Sequence, residues 1–599
     1  MPVDMPGTRM QGFRSAANPR DGWNTVLGAE AIAKTMKSQG VRRVYVFPGG
    51  TIAPLLDALL NEGIEIFCAR NEQGAGYAAI GASKISGRTQ VVMVTSGPGV
   101  TNLLTPIADA YYDSAPILAI TGQVATKDIN YDRKVRQTGF QETDTVNIFK
   151  PVTKNSRIVY LEAGLGQKIS EAFLLTREGR PGPVLIDLPM DVQRGEVETG
   201  PGDIQSPRSA TSSSSPSLSK DQIREVFESL SKSKRPLILA GNGVYISRSV
   251  DLFRTFVERI GAPVITSLPA VGVLPRDDPL NFGFLGHTGE FCANLAAYYS
   301  DLLIVLGSRL DLRQTGTQLD SFRRSKRIIR VDIDPNELKF GRVQANVNVQ
   351  SDLGTFLRLF LEDTSTPVRS SDYDQWISTI GQWKSTYDSS QFFKGPGLHS
   401  RDIIRGVDEL TIDRNVVVSS GVGAHQQFVA RYFSFDHPKR IWMTSAGHGT
   451  MGFDIPTNIG ALLESDKKAL GIVFVGDGSF QMNIQELATI EEFDLPMKIF
   501  VLDNNRLGIV SQFQLMNWKR DPTTGKKKNP SFAKIAKGYG LAGYEISDKT
   551  NLAESLSQVL EDDKPAVVHC HVNYEDDVLP MLLAGQELRE MHPFGRVEL

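Results

Sequence analysis

The sequence predicts an α/β protein built from three doubly wound parallel-sheet domains, and three observations carry that expectation. Short β-branched runs alternate with longer amphipathic stretches along the whole chain. Most of these runs are continuously apolar, as strands are when helices cover both faces of their sheet. They also end in glycine-rich turns, where a strand must reverse tightly into a helix.

Taken in order, the first piece spans residues 24–199 and offers the runs VRRVYVFPGG, TQVVMVTSGPG, APILAITGQV and GPVLIDLP. The second, 221–362, offers RPLILAGNG, APVITSLP, DLLIVLGSR and RIIRVDID. The third, 400–575, offers NVVVSSGVG, LGIVFVGDGS, PMKIFVLDNN and AVVHCHV. Residues 200–220 hold eight serines, three prolines and two glycines, a linker composition. A weaker linker signal runs over about 363–400, from DTSTPVRSSD to KGPG. Residues 1–23 read as a disordered tail and 576–599 as a short C-terminal tail. A length of 599 residues accommodates three such domains.

Composition narrows the function classes. Sixty-five basic against 68 acidic residues leave a net charge of −3, which argues against a nucleic-acid partner. Cys68, Cys292 and Cys570 lie far apart, so neither a disulfide framework nor a CxxC metal site is expected, and a reducing compartment is the simplest reading. No apolar run approaches the ~18 residues of a membrane span. The first residues lack the apolar core of a secretory signal. The expected location is therefore cytoplasmic, with a cleaved organelle presequence as the alternative, since no acidic residue falls between Asp4 and Asp21.

The most informative stretch is Gly476-Asp477-Gly478-Ser479, followed by the helix-like QMNIQELATIEEF and the strand MKIFVLDN, which ends at Asn504. Glycines at a strand end let backbone N–H groups approach a diphosphate. Asn504 stands 27 residues after Asp477, at the end of the next expected strand. A carboxylate, an amide oxygen, a backbone carbonyl and diphosphate oxygens form a hard octahedral set suited to Mg²⁺.

This stretch resembles the thiamine diphosphate enzymes, and within them the catalytic subunits of acetohydroxyacid synthase (acetolactate synthase). The resemblance extends over nearly the whole chain: TSGPGVTNLLTPIADAYYDSAPILAITGQV, RPGPVLIDLPMDVQ, GFQETD, AGHGTMGFDIP and VLPM follow in the family's order. It implies a pyrimidine-binding domain, a central FAD-binding-like domain and a diphosphate-binding domain.

It also implies roles for individual residues. Glu72 would hydrogen-bond the aminopyrimidine and promote the imino tautomer that takes the thiamine C2 proton. Met451 would hold the cofactor bent, so that proximity does much of the work. His425, Gly449, Thr450, Gly476, Gly478, Ser479, Gly508 and Ile509 would line the cofactor, while Asp477, Asn504 and Arg506 would hold the metal. Gln123, Phe140 and Gln141 match positions lining the family's active site. Arg180, Ser267, Leu268, Gly286, His287, Arg309, Asp311 and Asp332 match segments around FAD, there a structural flavin. Lys154 fits a surface strand as well as any role.

The match frays at substrate positions. Phe513 stands where the family has a pocket tryptophan, Met190 where it has a lysine, Leu312 where it has an aspartate, and Ala424 where a glutamine usually precedes the histidine. Arg313, which binds the acceptor carboxylate in the family, is retained. The expected reaction is decarboxylation of pyruvate with transfer of its two-carbon unit to a second 2-keto acid. The alternative acceptor is another ketone such as a nucleotide-linked keto sugar, with the basic Lys519–Lys528 segment to meet a diphosphate. A pyruvate-oxidising flavoenzyme and a non-catalytic homologue are the further alternatives. The resemblance places the cofactor between subunits, which implies a homodimer or homotetramer and leaves room for a regulatory subunit.

Overall fold

A computed structural model describes residues 24–161, 164–199, 218–363, 372–525 and 528–599. The expected N-terminal tail and nearly all of the serine-rich linker lie outside the described residues.

Three six-stranded, all-parallel sheets form the core of the molecule. The first holds strands Arg43–Phe47, Glu65–Cys68, Gln90–Val94, Ile117–Gln123, Asn155–Ile158 and Val184–Pro189. The third holds Val416–Ser420, Arg440–Thr444, Leu470–Gly476, Met497–Asp503, Ala542–Ile546 and Ala566–His571. Numbered along the chain, both sheets are ordered 2-1-3-4-6-5. The central sheet, Pro236–Ala240, Val264–Thr266, Asn281–Phe284, Leu302–Leu306, Arg327–Asp332 and Val347–Gln350, is ordered 3-2-1-4-5-6. Each order reverses direction beside its first strand, and the crevice at such a reversal is where open α/β sheets bind ligands. Every apolar run picked out in the sequence is one of these strands.

The outer domains are fused through two helices, Glu72–Ser86 and Asp454–Glu464. Both are buried on nearly every face, as helices that are small and apolar all round must be. A Cβ on Gly81 would sit 1.9 Å from the Thr457 carbonyl oxygen, and one on Gly460 would sit 1.8 Å from that of Ala78. Only glycine permits so close a crossing. One apolar cluster runs from Phe67 and Ala78 through Ile459 to Phe480 and Val501, so the two domains share a core.

Two segments differ from the sequence reading. Within 363–400, residues Asp372–Thr386 form a helix, not a linker. Tyr373, Trp376, Ile380 and Trp383 recur at helical spacing and are buried against the central domain. Tyr373 donates to the Leu230 carbonyl and the Trp376 indole to that of Pro236, at 2.9 and 3.1 Å. The stretch after the Gly476 turn is not one helix either. A single turn, Asp477–Phe480, breaks at Asn483 before Ile484–Glu486 and Leu487–Glu492. Asn483 and Glu486 spend their polar groups on the first domain and on the Gly452 turn instead.

The C-terminal tail returns to the central domain as a ribbon, Glu590–Met591 with Gly595–Arg596. Met591 is buried there, and Asn294 donates to its sulfur at 3.1 Å. Among the described residues, no helix is long and apolar enough to cross a membrane.

Candidate active site

The diphosphate-side candidates converge at the reversal point of the third sheet. Val416–Ser420 and Leu470–Gly476 are neighbours there, and Gly476 pairs in register with Leu502 of the next strand. The turns carrying His425, Asp477 and Asn504 therefore leave one sheet edge side by side.

Two glycines cradle the His425 ring. A Cβ on Gly423 would stand 2.5 Å from its Cε1, and one on Gly476 would stand 3.1 Å from its Nδ1. The Nε2 is buried without a hydrogen-bond partner, 3.7 Å from Asp454 Oδ1. A buried polar atom left open costs free energy and asks for a ligand. Asp454 itself is committed, accepting from the Gly421 amide and, at 2.5 Å, from the Ser479 hydroxyl. Ser479 in turn accepts from the Gly452 amide at 2.8 Å, which fixes the turn after Met451.

Asp477 is buried, and burial, with the charge of Asp503 nearby, pushes its carboxyl up to about 6. Asn529 bridges the two acids, donating to Asp477 Oδ2 at 2.7 Å and to Asp503 Oδ1 at 2.9 Å. His569 donates from Nε2 to Asp503 at 2.8 Å and accepts the Phe532 amide on Nδ1 at 3.3 Å, which fixes its tautomer. Sequence reasoning missed Asn529, Asp503 and His569, which only tertiary structure brings to Asp477. Asp503, His569 and His571 also form the one cluster of potential metal ligands among the described residues. A metal on His569 Nε2 would have to break both of those hydrogen bonds.

Asn504 accepts the Arg506 amide at 3.2 Å, and its own amide packs on Gly508. The Arg506 guanidinium lies 2.8 Å from Asp577 and over the Tyr574 ring at 4.6 Å, and a cation has no lone pair to offer a metal, so only the backbone carbonyl could serve as a ligand. Gly449 and Thr450 both donate through their amides to Ser445 Oγ, at 3.1 and 2.9 Å. Ser445 and Thr450 hang in turn on Asp109 of the first domain. Met451 reaches within 3.3 Å of the Cβ position of Gly478, and Ile509 packs on the apolar core.

The pyrimidine-side candidates sit in the first domain. Glu72 opens its helix, is buried, and accepts from Asn102 at 3.0 Å. Gln123 is buried and fully used: its amide donates to the Thr143 carbonyl at 2.8 Å and to Asp187 at 2.9 Å. In this chain its amide nitrogen holds Asp187 and the 143 loop, while its Oε1 accepts the Val124 amide at 3.0 Å. Gln141 has a left-handed backbone (φ 64°) and packs against Gly97. Phe140 beside it is 86% exposed.

The flavin-side candidates all line one cleft of about 1380 Å³ between the three domains, as does Arg313. Its floor is the reversal point of the central sheet, between Pro236–Ala240 and Leu302–Leu306. Arg180 donates to Ser114 at 2.9 Å and to Glu337 at 2.9 Å. Burial holds the Asp332 carboxyl above its ordinary range. Burial, with Arg313 and Arg431 alongside, pushes His287 down to about 4. The Ser267 hydroxyl is buried with no partner. Lys154 belongs to this cleft too, and desolvation lowers its ammonium to about 8. Phe513, in contrast, lies exposed on the helix Gly508–Trp518, its ring 5.5 Å from that of Trp518.

Three domain families of thiamine pyrophosphate enzymes match the chain: the N-terminal TPP binding domain over residues 27–148, the central domain over 223–360, and the C-terminal TPP binding domain over 421–570. Among curated proteins, the acetolactate synthase large subunit of Lactococcus lactis is 37% identical over 568 residues, covering 94% of this chain and 96% of its own. The isozyme 2 large subunit of Escherichia coli is 35% identical, covering 94% and 99%. The chloroplastic acetolactate synthase 1 of Zea mays is 34% identical, covering 94% and 88%. With its three domains, its cofactor-side cradle and this full-length similarity, the chain belongs to the thiamine pyrophosphate enzymes, as an enzyme of the acetolactate synthase type.

Proposed function

We propose that the protein is a Mg²⁺-dependent carboligase that decarboxylates pyruvate and transfers the two-carbon unit to a second 2-keto acid, giving 2-acetolactate. The observation that carries the reading is the partnerless, buried His425 Nε2 set in a glycine cradle beside Asp477 and Asn504. These groups suit a diphosphate and the hard cation that would accompany it. The proteins it resembles are named for acetolactate synthesis, which supports pyruvate as donor.

When bound, thiamine diphosphate supplies the electron sink that 2-keto acid decarboxylation needs. The chain's own residues would do the rest. Asp477, Asn504 and the Arg506 carbonyl would hold Mg²⁺, and His425 would donate to a phosphate oxygen. Glu72 would share a proton with the aminopyrimidine ring; its Asn102 partner fixes the carboxyl while leaving one oxygen available. Met451 would support the cofactor's bent shape. Arg313 would bind the acceptor carboxylate, which favours a keto acid over a keto sugar.

The exposed positions of Phe140 and Phe513 support a site completed by a second copy of the chain, each subunit lending Glu72 to its partner's diphosphate domain. The central cleft would take FAD, with Arg180 toward its diphosphate and Asp332 toward ribose hydroxyls. The relatives' name "large subunit" supports a regulatory partner. Product analysis by mass spectrometry tests the reading. Labelled pyruvate alone should yield labelled acetolactate, and added keto sugars should leave that product unchanged. Diversion of the label into a branched sugar would replace this acceptor with the alternative.

A further inference from the structure

We infer that Asn483, seconded by Glu486, is a positioning residue that sets the Glu72 turn and the Met451 turn against each other. The inference rests on the proposed roles of Glu72 and Met451; the brace itself is geometry. Asn483 is 1% exposed and sits where the chain after the Gly476 turn leaves helical geometry, at φ −132° and ψ 35°. Its amide spans the domains. Nδ2 donates to the Gly452 carbonyl at 2.7 Å, one residue after Met451. Oδ1 accepts from the Asn71 side chain at 3.4 Å, one residue before Glu72, and from Gln485 at 3.0 Å. Asn71 passes the restraint on, capping the Glu72 helix by accepting the Gly74 amide at 2.7 Å.

Glu486 fixes the same turn from the other side. Its Oε1 accepts the Arg70 amide at 2.9 Å, and Thr489 donates to its Oε2 at 2.7 Å. The carboxylate lies so close over the helix start that a Cβ on Gly74 would come within 2.1 Å of it. Gly452 makes the matching concession, since a Cβ there would sit 2.8 Å from Asn483 Nδ2. Two glycines thus make room for two buried polar side chains of the third domain, and both side chains end on backbone or caps next to groups that would act on cofactor: Met451 on the one held by its own diphosphate domain, Glu72 on the one held by the partner subunit. Orienting groups of this kind act through the residues they hold, and small misplacements there are costly.

The brace has two halves that substitutions separate. Asn483→Asp keeps the acceptor toward Asn71 and loses the donor toward Gly452. Asn71→Asp keeps the Gly74 cap and loses the donor toward Asn483. Asn483→Leu removes both. Hydrogen exchange read by mass spectrometry on cofactor-free protein should show faster exchange over 448–456 alone in the first, over 68–76 alone in the second, and over both in the third. Each released hydrogen bond corresponds to roughly a fivefold to tenfold acceleration. In the holoenzyme, Asn483→Leu should lower kcat about tenfold. KM for the 2-keto acid should stay within about twofold, because the substrate pocket is untouched.

Wild-type exchange in both segments, identical patterns for the two Asp variants, or acceleration spread to the remote strand Pro236–Ala240 would overturn the inference. A wild-type protein that makes no product from pyruvate, with the exchange pattern intact, would instead remove the functional reading and leave the brace standing.

Discussion

Asp187 gives the most quantitative prediction. It is wholly buried on the strand Val184–Pro189 of the first sheet, accepting from Thr121 at 2.7 Å and from Gln123 at 2.9 Å. Burial outweighs these hydrogen bonds and pushes the carboxyl from 3.8 up to about 7. The folded chain therefore holds a proton between pH ~4 and ~7 that the unfolded chain has released. Stability from this group is complete below the unfolded value and is lost as pH rises through the folded one. At ~1.4 kcal/mol per unit, about three units amount to roughly 4 kcal/mol lost by pH 8. Asp187→Asn removes that titration. It also turns a donor toward Thr121 or the Gln123 amide, at a cost of about 1–3 kcal/mol. By pH 5 the wild type has already given up about 1.6 kcal/mol, so the variant should melt close to wild type there and a few degrees above it at pH 8. Parallel melting curves across that range would refute the reasoning.

Other changes probe the rest of the molecule. Glu72→Gln should leave folding intact by circular dichroism and lower carboligase turnover by on the order of 100-fold or more. Asp477→Ala should abolish Mg²⁺-dependent thiamine diphosphate binding in calorimetry while leaving the melting temperature of the cofactor-free protein unchanged or raised, since it removes a carboxylate that burial disfavours. Gly460→Ala gains about 1 kcal/mol of helix propensity but drives a methyl into the Ala78 carbonyl, so urea unfolding should show a net loss of about 2 kcal/mol or more. Phe513→Trp should shift acceptor choice toward 2-ketobutyrate by ~1 kcal/mol or more, read as the ratio of the two acetohydroxyacids in competition.

Much of the architecture was legible in the sequence because the relevant signals are local. Twelve apolar runs were enough to name twelve strands, and the Gly476–Ser479 turn and Asn504 stand, as their spacing implied, at the ends of neighbouring strands. What escaped was whatever tertiary structure overrides. The helix Asp372–Thr386 was hidden by its serine- and proline-rich flank, although Tyr373, Trp376, Ile380 and Trp383 already marked a buried face. The break at Asn483 was unreadable, because its side chain is held there by partners distant in sequence, Gly452 in its own domain and Asn71 in the first. Gln123 carried a family position but spends its amide on Asp187, a partner 64 residues away. The flavin-side residues scatter from Arg180 to Asp332, and only the cleft shows them as one set.

The crossing at Gly81 and Gly460 has a mechanical consequence. Helices slide past one another on a cushion of side chains, and here main chain meets main chain with nothing between. The outer domains of a chain are therefore locked together like two halves of a casting. Any movement that admitted a substrate would have to come from elements outside that crossing, such as the Gly508–Trp518 helix with its exposed Phe513.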